Sequence, residues 1–264
     1  MPIYEYVDTH SHLDMPEFDA DRQEMLKRAF ENGVKTIITT GIDIPSSQKA
    51  IDLAAANPAI YAAVGIHPQE CTGVTEADFE RLELLVKCEK VVAIGECGLD
   101  YYRDYSPRHT QLETFYHHLD LADQTGLPLI IHCRQAEEDV LKILSDWSAQ
   151  SPASAGKGVI HCFSGSAETA LKYINMGFYI GLGAYIGYPS SRKYHSAFAA
   201  IPLEHIVLET DCPFLPPQTH RGERNEPAYI PLTAATLAEI KNLGTNEVAS
   251  ATTANARRLF HLDK

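Results

Sequence analysis

A single-domain (β/α)8 barrel over residues 1–264 is the fold this sequence predicts. Three observations predict it. Eight short runs rich in β-branched residues recur along the chain, each is followed by a longer stretch of helical period, and most of the runs end in a histidine or a carboxylate. Strands that alternate with helices imply parallel pairing through right-handed crossovers, and a count of eight favours closure over an open doubly wound sheet. In such barrels the chemistry lies at the C-terminal ends of the strands, so the third observation is also a functional one.

The predicted strands, in order, are YEYVDTH (4–10), VKTIITTG (34–41), IYAAVGI (60–66), VVAIGE (91–96), LPLIIH (127–132), KGVIH (157–161), GFYIGLG (177–183) and HIVLET (205–210). Helical spacing places helices at 18–31, 45–56, 75–89, 107–125, 135–149, 166–175 and 191–200, with two more at 230–242 and 245–261. Pro45 and Pro107 sit where a first turn tolerates a missing N–H, and Thr75 with Asp78 forms a capping box in which Asp replaces the usual Glu or Gln. The most loop-like segment, SAQSPASAGKG (148–158), is short enough to be one helix-to-strand connection.

Composition narrows the function. Apolar residues make up 45% and charged residues 22%, ordinary for a water-soluble domain, and no apolar run approaches the roughly 18 residues of a membrane span. The opening MPIYEYVDTHSHLD lacks the basic and apolar regions of a signal peptide, which predicts a cytoplasmic protein with no membrane partner. Six cysteines at no framework-like spacing predict reduced thiols. A net charge of −13 argues against a broad basic face for gripping duplex DNA. If phosphate is the substrate, metal ions or a local arginine cluster must supply the positive charge.

The strand ends supply candidate metal ligands. The first ends in His10 and continues to His12, the third stops before His67, the fourth ends in Glu96, the fifth in His132, the sixth in His161, and the eighth runs into Asp211. Residues two apart on a strand share a face, so His10 and His12 can chelate one ion. Burying Glu96 and Asp211 at one barrel mouth without a cation would be costly. Four histidines with two carboxylates suit Zn²⁺, Mn²⁺ or Fe²⁺ and exceed what one catalytic ion takes. Two divalent ions are the natural count, and a glutamate from the middle of the ring can bridge them. Cys97, Cys133, Cys162 and Cys212 each follow a candidate ligand, so alternation turns them outward to pack against helices, with thiolate ligation the alternative where strand gives way to loop, at Cys97 or Cys212. Cys71 and Cys88 have no such neighbour.

With these residues assembled, the chain resembles the TatD family of metal-dependent hydrolases, among the amidohydrolase-like barrels. The resemblance rests on DTHSHLD (8–14), AAVGIHP (62–68), AIGECGLDYY (93–102), LIIHCR (129–134), VIHCFSGS (159–166), and VLETDCPFL followed by RGERNEP (207–227). It implies that His10, His12 and Asp211 bind a first ion, that Glu96 bridges, and that His132 and His161 bind a second, with Mg²⁺, Mn²⁺ or Zn²⁺ as the metals. It also implies a deoxyribonuclease of exonuclease type; removal of D-amino acids from mischarged tRNA is a minority activity in the family. The chain departs from the family wording at Gln69, at Cys133, Arg134 and Gln135, and around strand seven in GLGAYIGYPSSRKYHSAF.

The expected mechanism is metal-assisted hydrolysis, with Asp211 orienting the attacking water or taking its proton. His67 is expected either to donate to a phosphate oxygen or leaving group, or to make a structural hydrogen bond. Arg103, Arg221 and Arg224 are candidate phosphate clamps, Arg221 and Arg224 alternatively pairing with Glu223 or Glu226. Tyr101 and Tyr102 are candidates to stack on an unpaired base or to pack in the core. The expected substrate is single-stranded DNA or frayed ends, and the expected state a monomer. A small-molecule amidohydrolase or lactonase is the competing enzyme reading, although no lysine ends a predicted strand as a carbamylated bridge would require. A structural metal site in a scaffold protein is the non-enzymatic one; such sites close at four ligands, whereas six surround this mouth.

Overall fold

The computed structural model of the chain describes residues 4–103, 105–150 and 157–262. Its eight strands pair in parallel and in chain order: β1 (Tyr6–Ser11), β2 (Val34–Thr40), β3 (Ile60–Val64), β4 (Val91–Asp100), β5 (Leu129–Arg134), β6 (Gly158–Ile160), β7 (Phe178–Leu182) and β8 (Ile206–Leu208). The seam closes through backbone bonds in which Asp211 N–H donates to the His10 carbonyl at 2.9 Å and His12 N–H to the Cys212 carbonyl at 2.8 Å. This is the (β/α)8 barrel that the alternation predicts.

Around it run α1 (Arg22–Glu31), α2 (Ile44–Ala56), α3 (Glu76–Leu85), α4 (Arg108–Thr125), α5 (Glu137–Gln150), α6 (Ala167–Asn175), α7 (His195–Ala200), α8 (Ile230–Lys241) and α9 (Thr245–Phe260). The Thr75–Asp78 box forms, Thr75 N–H donating to Asp78 at 2.9 Å. The expected helix at 18–31 begins later, after a 3-10 turn at Pro16–Phe18, with Asp21 as its N-cap. The expected helix at 191–200 is a 3-10 turn, Pro189–Tyr194, followed by the six-residue α7; Ser191 is the only buried residue of that turn, so it lacks an apolar face to extend. The predicted loop 148–158 crosses residues 151–156, and the expected domain includes 1–3, 104 and 263–264, all outside the described residues.

Strand alternation divides the core in two. Outward residues such as Ile37, Ile94, Ile131 and Leu208 pack under the helices, while Val7, Ile38, Ala63, Ala93, Ile130, Val159, Tyr179 and Val207 fill the barrel. Ala256, Leu259 and Phe260 of α9 join this inner cluster and plug one end. Thr253 of α9 donates to the Glu5 carbonyl at 2.9 Å, and Asn255 donates to the Leu203 and Ile206 carbonyls at 2.8 and 2.7 Å, so one helix clasps both sides of the seam.

The other end carries the polar residues, and two strands must break register to present them. Val7 and His10 are three apart, as are Ala93 and Glu96, an odd spacing that unbroken alternation sends to opposite faces. Register shifts between Asp8 and Ser11, and between Ile94 and Cys97, insert one extra residue in each strand and bring His10 and Glu96 back to the inside. Elsewhere the spacing is even: Ile130 to His132, Val159 to His161, and Val207 through Glu209 to Asp211. The shift in β4 leaves no room for side chains against β5. A Cβ on Gly98, at φ 129°, would lie 2.1 Å from the His132 carbonyl oxygen.

Candidate active site

All six candidate ligands meet at one mouth, with Glu96 at the centre and only 3% exposed. Its Oε2 lies 3.4 Å from His10 Nε2 and 3.8 Å from His12 Nε2. Its Oε1 faces the other way, 2.8 Å from His132 Nδ1, 3.5 Å from His67 Nε2 and 3.9 Å from His161 Nε2. Asp211 Oδ1 completes the first side at 3.7 Å from His10 and 3.4 Å from His12, and lies 3.9 Å from His161. One carboxylate thus divides its two oxygens between two histidine sets.

The donors fit divalent cations. His10 and His12 turn Nε2 toward each other at 3.1 Å, and His10 Nδ1 is buried without a partner. His12 Nδ1 donates to the Thr40 carbonyl at 2.9 Å, so in the neutral ring the lone pair is on Nε2, aimed into the cluster. The spacings of 3.1–3.8 Å among His10, His12, Glu96 and Asp211 bracket the edge of about 3.4 Å that a tetrahedral ion with bonds of about 2.1 Å requires. His67 differs from the ligands. Its Nδ1 accepts the Gln69 N–H at 3.1 Å, so the proton sits on Nε2 and His67 faces the cluster as a donor.

The charges are set for cation binding. Burial opposes ionisation of Glu96 and Asp211, yet the surrounding histidines outweigh it and hold both carboxyls below their ordinary range. Burial lowers His67 and His10, with Glu96 opposing it in part. Burial also opposes charge on His161, but Glu209, Glu96 and Asp211 prevail and push it up to about 10. A cation would displace that proton and take over its charge.

Three buried carboxylates escaped sequence reasoning. Glu209, 1% exposed, accepts the Cys162 N–H at 2.6 Å through Oε1 and places Oε2 3.2 Å from His161 Nδ1. With Nδ1 on the Glu209 side, His161 presents Nε2 to the mouth. The only signal of Glu209 is its even spacing from Asp211. Asp100, fully buried, lies 3.2 Å from His132 Nε2 and accepts Gln69 Nε2 at 2.6 Å and the Tyr102 and Arg103 amides at 2.9 Å. The departure at Gln69 therefore has a use in this chain. Asp8 accepts from the Thr210 amide at 2.9 Å and hydroxyl at 2.6 Å, tying β1 to the segment after β8; burial raises it to about 7.

Cys97 and Cys212 are buried in the helix-facing core, and Cys133 and Cys162 pack against it; all six cysteines are free thiols. Cys162 lies within reach of His161 and Glu209, but burial raises its thiol well above the ordinary value and makes it a poor donor.

The ligand candidates floor an open cleft of about 520 Å³, lined also by Met15, Gln69, Arg103, Tyr105, Arg134, Phe214 and Leu215. Arg103 is at its edge, hydrogen-bonded to the Tyr105 hydroxyl at 3.0 Å. Arg221 stacks over Tyr188 at 4.5 Å and does not line the cleft. Arg224 corrects the expectation of a clamp: its guanidinium forks onto Asp21 at 2.7 and 2.8 Å, and Glu226 beside it is held by Arg28, so this segment staples the loop after β8 to α1. Tyr101 is also occupied, bonded to Asp139 at 2.6 Å and covered by Arg108 at 3.9 Å. Tyr102 is 52% exposed, but Arg134 lies over its ring at 4.0 Å.

A barrel with such a cluster at its mouth defines a metal-dependent hydrolase. The chain belongs to the TatD related DNase family, whose model matches residues 7–261. It is 41% identical over 256 residues to the uncharacterized metal-dependent hydrolase YabD of Bacillus subtilis, spanning 97% of this chain and 99% of that one. It is 33% identical over 256 residues to the 3'-5' ssDNA/RNA exonuclease TatD of Klebsiella pneumoniae, spanning 95% and 96%. Among solved structures, the TatD homolog YJJV of Escherichia coli superposes with a TM-score of 0.91 at 32% identity, covering 98% of this chain and 99% of that one. No helix among the described residues is long and apolar enough to cross a membrane.

Proposed function

We propose that this hydrolase is a two-metal deoxyribonuclease that removes nucleotides from single-stranded or frayed DNA ends. The observation that carries this reading is the division of Glu96, whose two oxygens face separate histidine sets on the floor of an open cleft. His10, His12 and Asp211 would hold one ion, His132 and His161 the other, with Glu96 shared. Two Mg²⁺, Mn²⁺ or Zn²⁺ ions would polarise the phosphoryl oxygen and lower the pKa of water.

The remaining work falls to the chain. Asp211, 16% exposed at its side chain, is the more accessible of the two carboxylates and orients the attacking water or takes its proton. His67, with its proton on Nε2, donates to a phosphate oxygen or the leaving group. Arg103 meets a flanking phosphate. The relatives named as exonucleases support a nucleic acid substrate. A monomer acting in the cytoplasm suits an acidic chain with six free cysteines.

The described strands carry one lysine, Lys35 near the start of β2, so no carbamylated lysine is available as a bridge in the manner of a lactonase. Release of nucleotides from end-labelled single-stranded DNA tests the proposal, using chelator-stripped protein, each metal added back, and a Glu96→Ala control. Metal-restored release that vanishes in the variant is expected. Absence of release with every metal, alongside hydrolysis of D-aminoacyl-tRNA or a lactone, would overturn it.

A further inference from the structure

The cleft has two unlike walls. On one side Phe214 is 46% exposed and lies 6.1 Å, edge to face, from the His12 ring. Met15 and Leu215 line the same cleft. The backbone beneath the ring is fixed: Phe214 N–H donates to the Asp211 carbonyl at 2.9 Å, and buried Asn225 donates to the Phe214 carbonyl at 2.6 Å and the Leu215 carbonyl at 3.3 Å. The bonded loop therefore presents an apolar ring on the cleft surface, beside the candidate metal ligands.

The cleft also carries two cations, Arg103 and Arg134, against one carboxylate outside the metal cluster, Glu70. Arg134, two residues beyond His132, is exposed and lies flat on Tyr102 at 4.0 Å. Among the described residues no carboxylate forms an ion pair with it, although the chain carries thirteen net negative charges. A guanidinium held by an aromatic face keeps its N–H edge free for an anion.

We infer that these walls read one unpaired nucleotide end, with the base stacked on Phe214 and its terminal phosphate held by Arg134. This rests on the nuclease reading above and adds the groups that choose the substrate. It replaces Tyr101 and Tyr102 as stacking residues, since the first is bonded and covered and the second carries Arg134. A base in a duplex cannot turn its face to Phe214, so the wall itself selects single strands.

The test uses four short DNA oligonucleotides: base-bearing or abasic at the terminal position, each with and without a terminal phosphate. kcat/KM is measured for the metal-loaded wild type, Phe214→Ala, Phe214→Trp and Arg134→Gln, and binding to chelator-stripped protein is followed by fluorescence anisotropy. Wild type should prefer the base-bearing end about 5- to 150-fold. Phe214→Ala should abolish that preference and Phe214→Trp keep it. Arg134→Gln should leave the base preference and remove an advantage of about tenfold or more for the terminal phosphate. A base preference that survives Phe214→Ala, or none in wild type, overturns the inference while leaving a nuclease. The expected binding pattern with no hydrolysis of any oligonucleotide would overturn the nuclease reading and keep the two walls.

Discussion

Acidification should weaken the fold through His118, a fully buried residue outside the candidate metal cluster. The ring is fully buried in α4; its Nδ1 donates to the Thr114 carbonyl at 2.6 Å and its Nε2 accepts the Ile66 N–H at 3.0 Å. The bond to Ile66 anchors the segment that leads to His67, and it requires a neutral ring. Burial lowers the pKa from 6.5 to about 4, the Thr114 bond opposing it only in part. Because the folded value lies below the unfolded one, the unfolded chain takes the proton first. The contribution is complete above about pH 6.5 and is lost as pH falls toward about 4, below which both states are protonated. At about 1.4 kcal/mol per tenfold change in proton affinity, it amounts to about 3 kcal/mol. Urea unfolding of wild type and His118→Gln across this window isolates the effect, because Gln can accept from Ile66 but does not titrate. Asp8, raised to about 7, titrates in the opposite sense, but it is common to both proteins and cancels in their difference. The stability gap between the two should shift by about 3 kcal/mol from neutral to acidic pH. Parallel pH profiles would refute the reasoning.

Three other changes test other parts of the structure. Glu209→Gln keeps an acceptor for Cys162 N–H but removes the charge beside His161, so metal affinity should drop about 10- to 100-fold in competition with a chelating dye; unchanged affinity would deny Glu209 any hold on that ring. Gly98→Ala drives a Cβ into the His132 carbonyl and should cost about 3 kcal/mol or more, read as a lower thermal midpoint by circular dichroism. A midpoint equal to wild type would mean that β4 and β5 can part there without penalty. Asp21→Asn breaks the fork with Arg224 and should cost about 1 kcal/mol, shrinking as salt is raised. Asp21 is lowered to about 2 by Arg224 and Arg28, so its contribution in wild type should be present above about pH 4 and fade as pH falls toward 2.

The barrel was legible because β-branched runs and helical stretches alternate without a break, and the mouth because a run such as LPLIIH has no packing reason to end in histidine. What escaped notice followed from backbone geometry. Plain alternation brings His132 and His161 inside, but His10 and Glu96 arrive there through an extra residue that leaves no compositional mark. β4 runs to Asp100, four residues past its predicted end, because the glycines in GECGLD, which suggest a turn, instead allow close contact with β5. Asp100 and Glu209 support histidines from strands distant in sequence, pairings that one sequence cannot display. Arg224 looked like a phosphate clamp because its partner, Asp21, lies some two hundred residues earlier.

The clasp by α9 also has a kinetic consequence. The helix that joins the Glu5 carbonyl to the Ile206 carbonyl follows both in the chain, so during synthesis β1 is made about two hundred residues before its final neighbour β8 exists. Until Thr253 and Asn255 emerge, the growing sheet has an open edge on each side, and open edges invite pairing with other chains. Closing the ring therefore has to wait for the C-terminal quarter of the chain, and until then the sheet keeps edges on which another chain can pair.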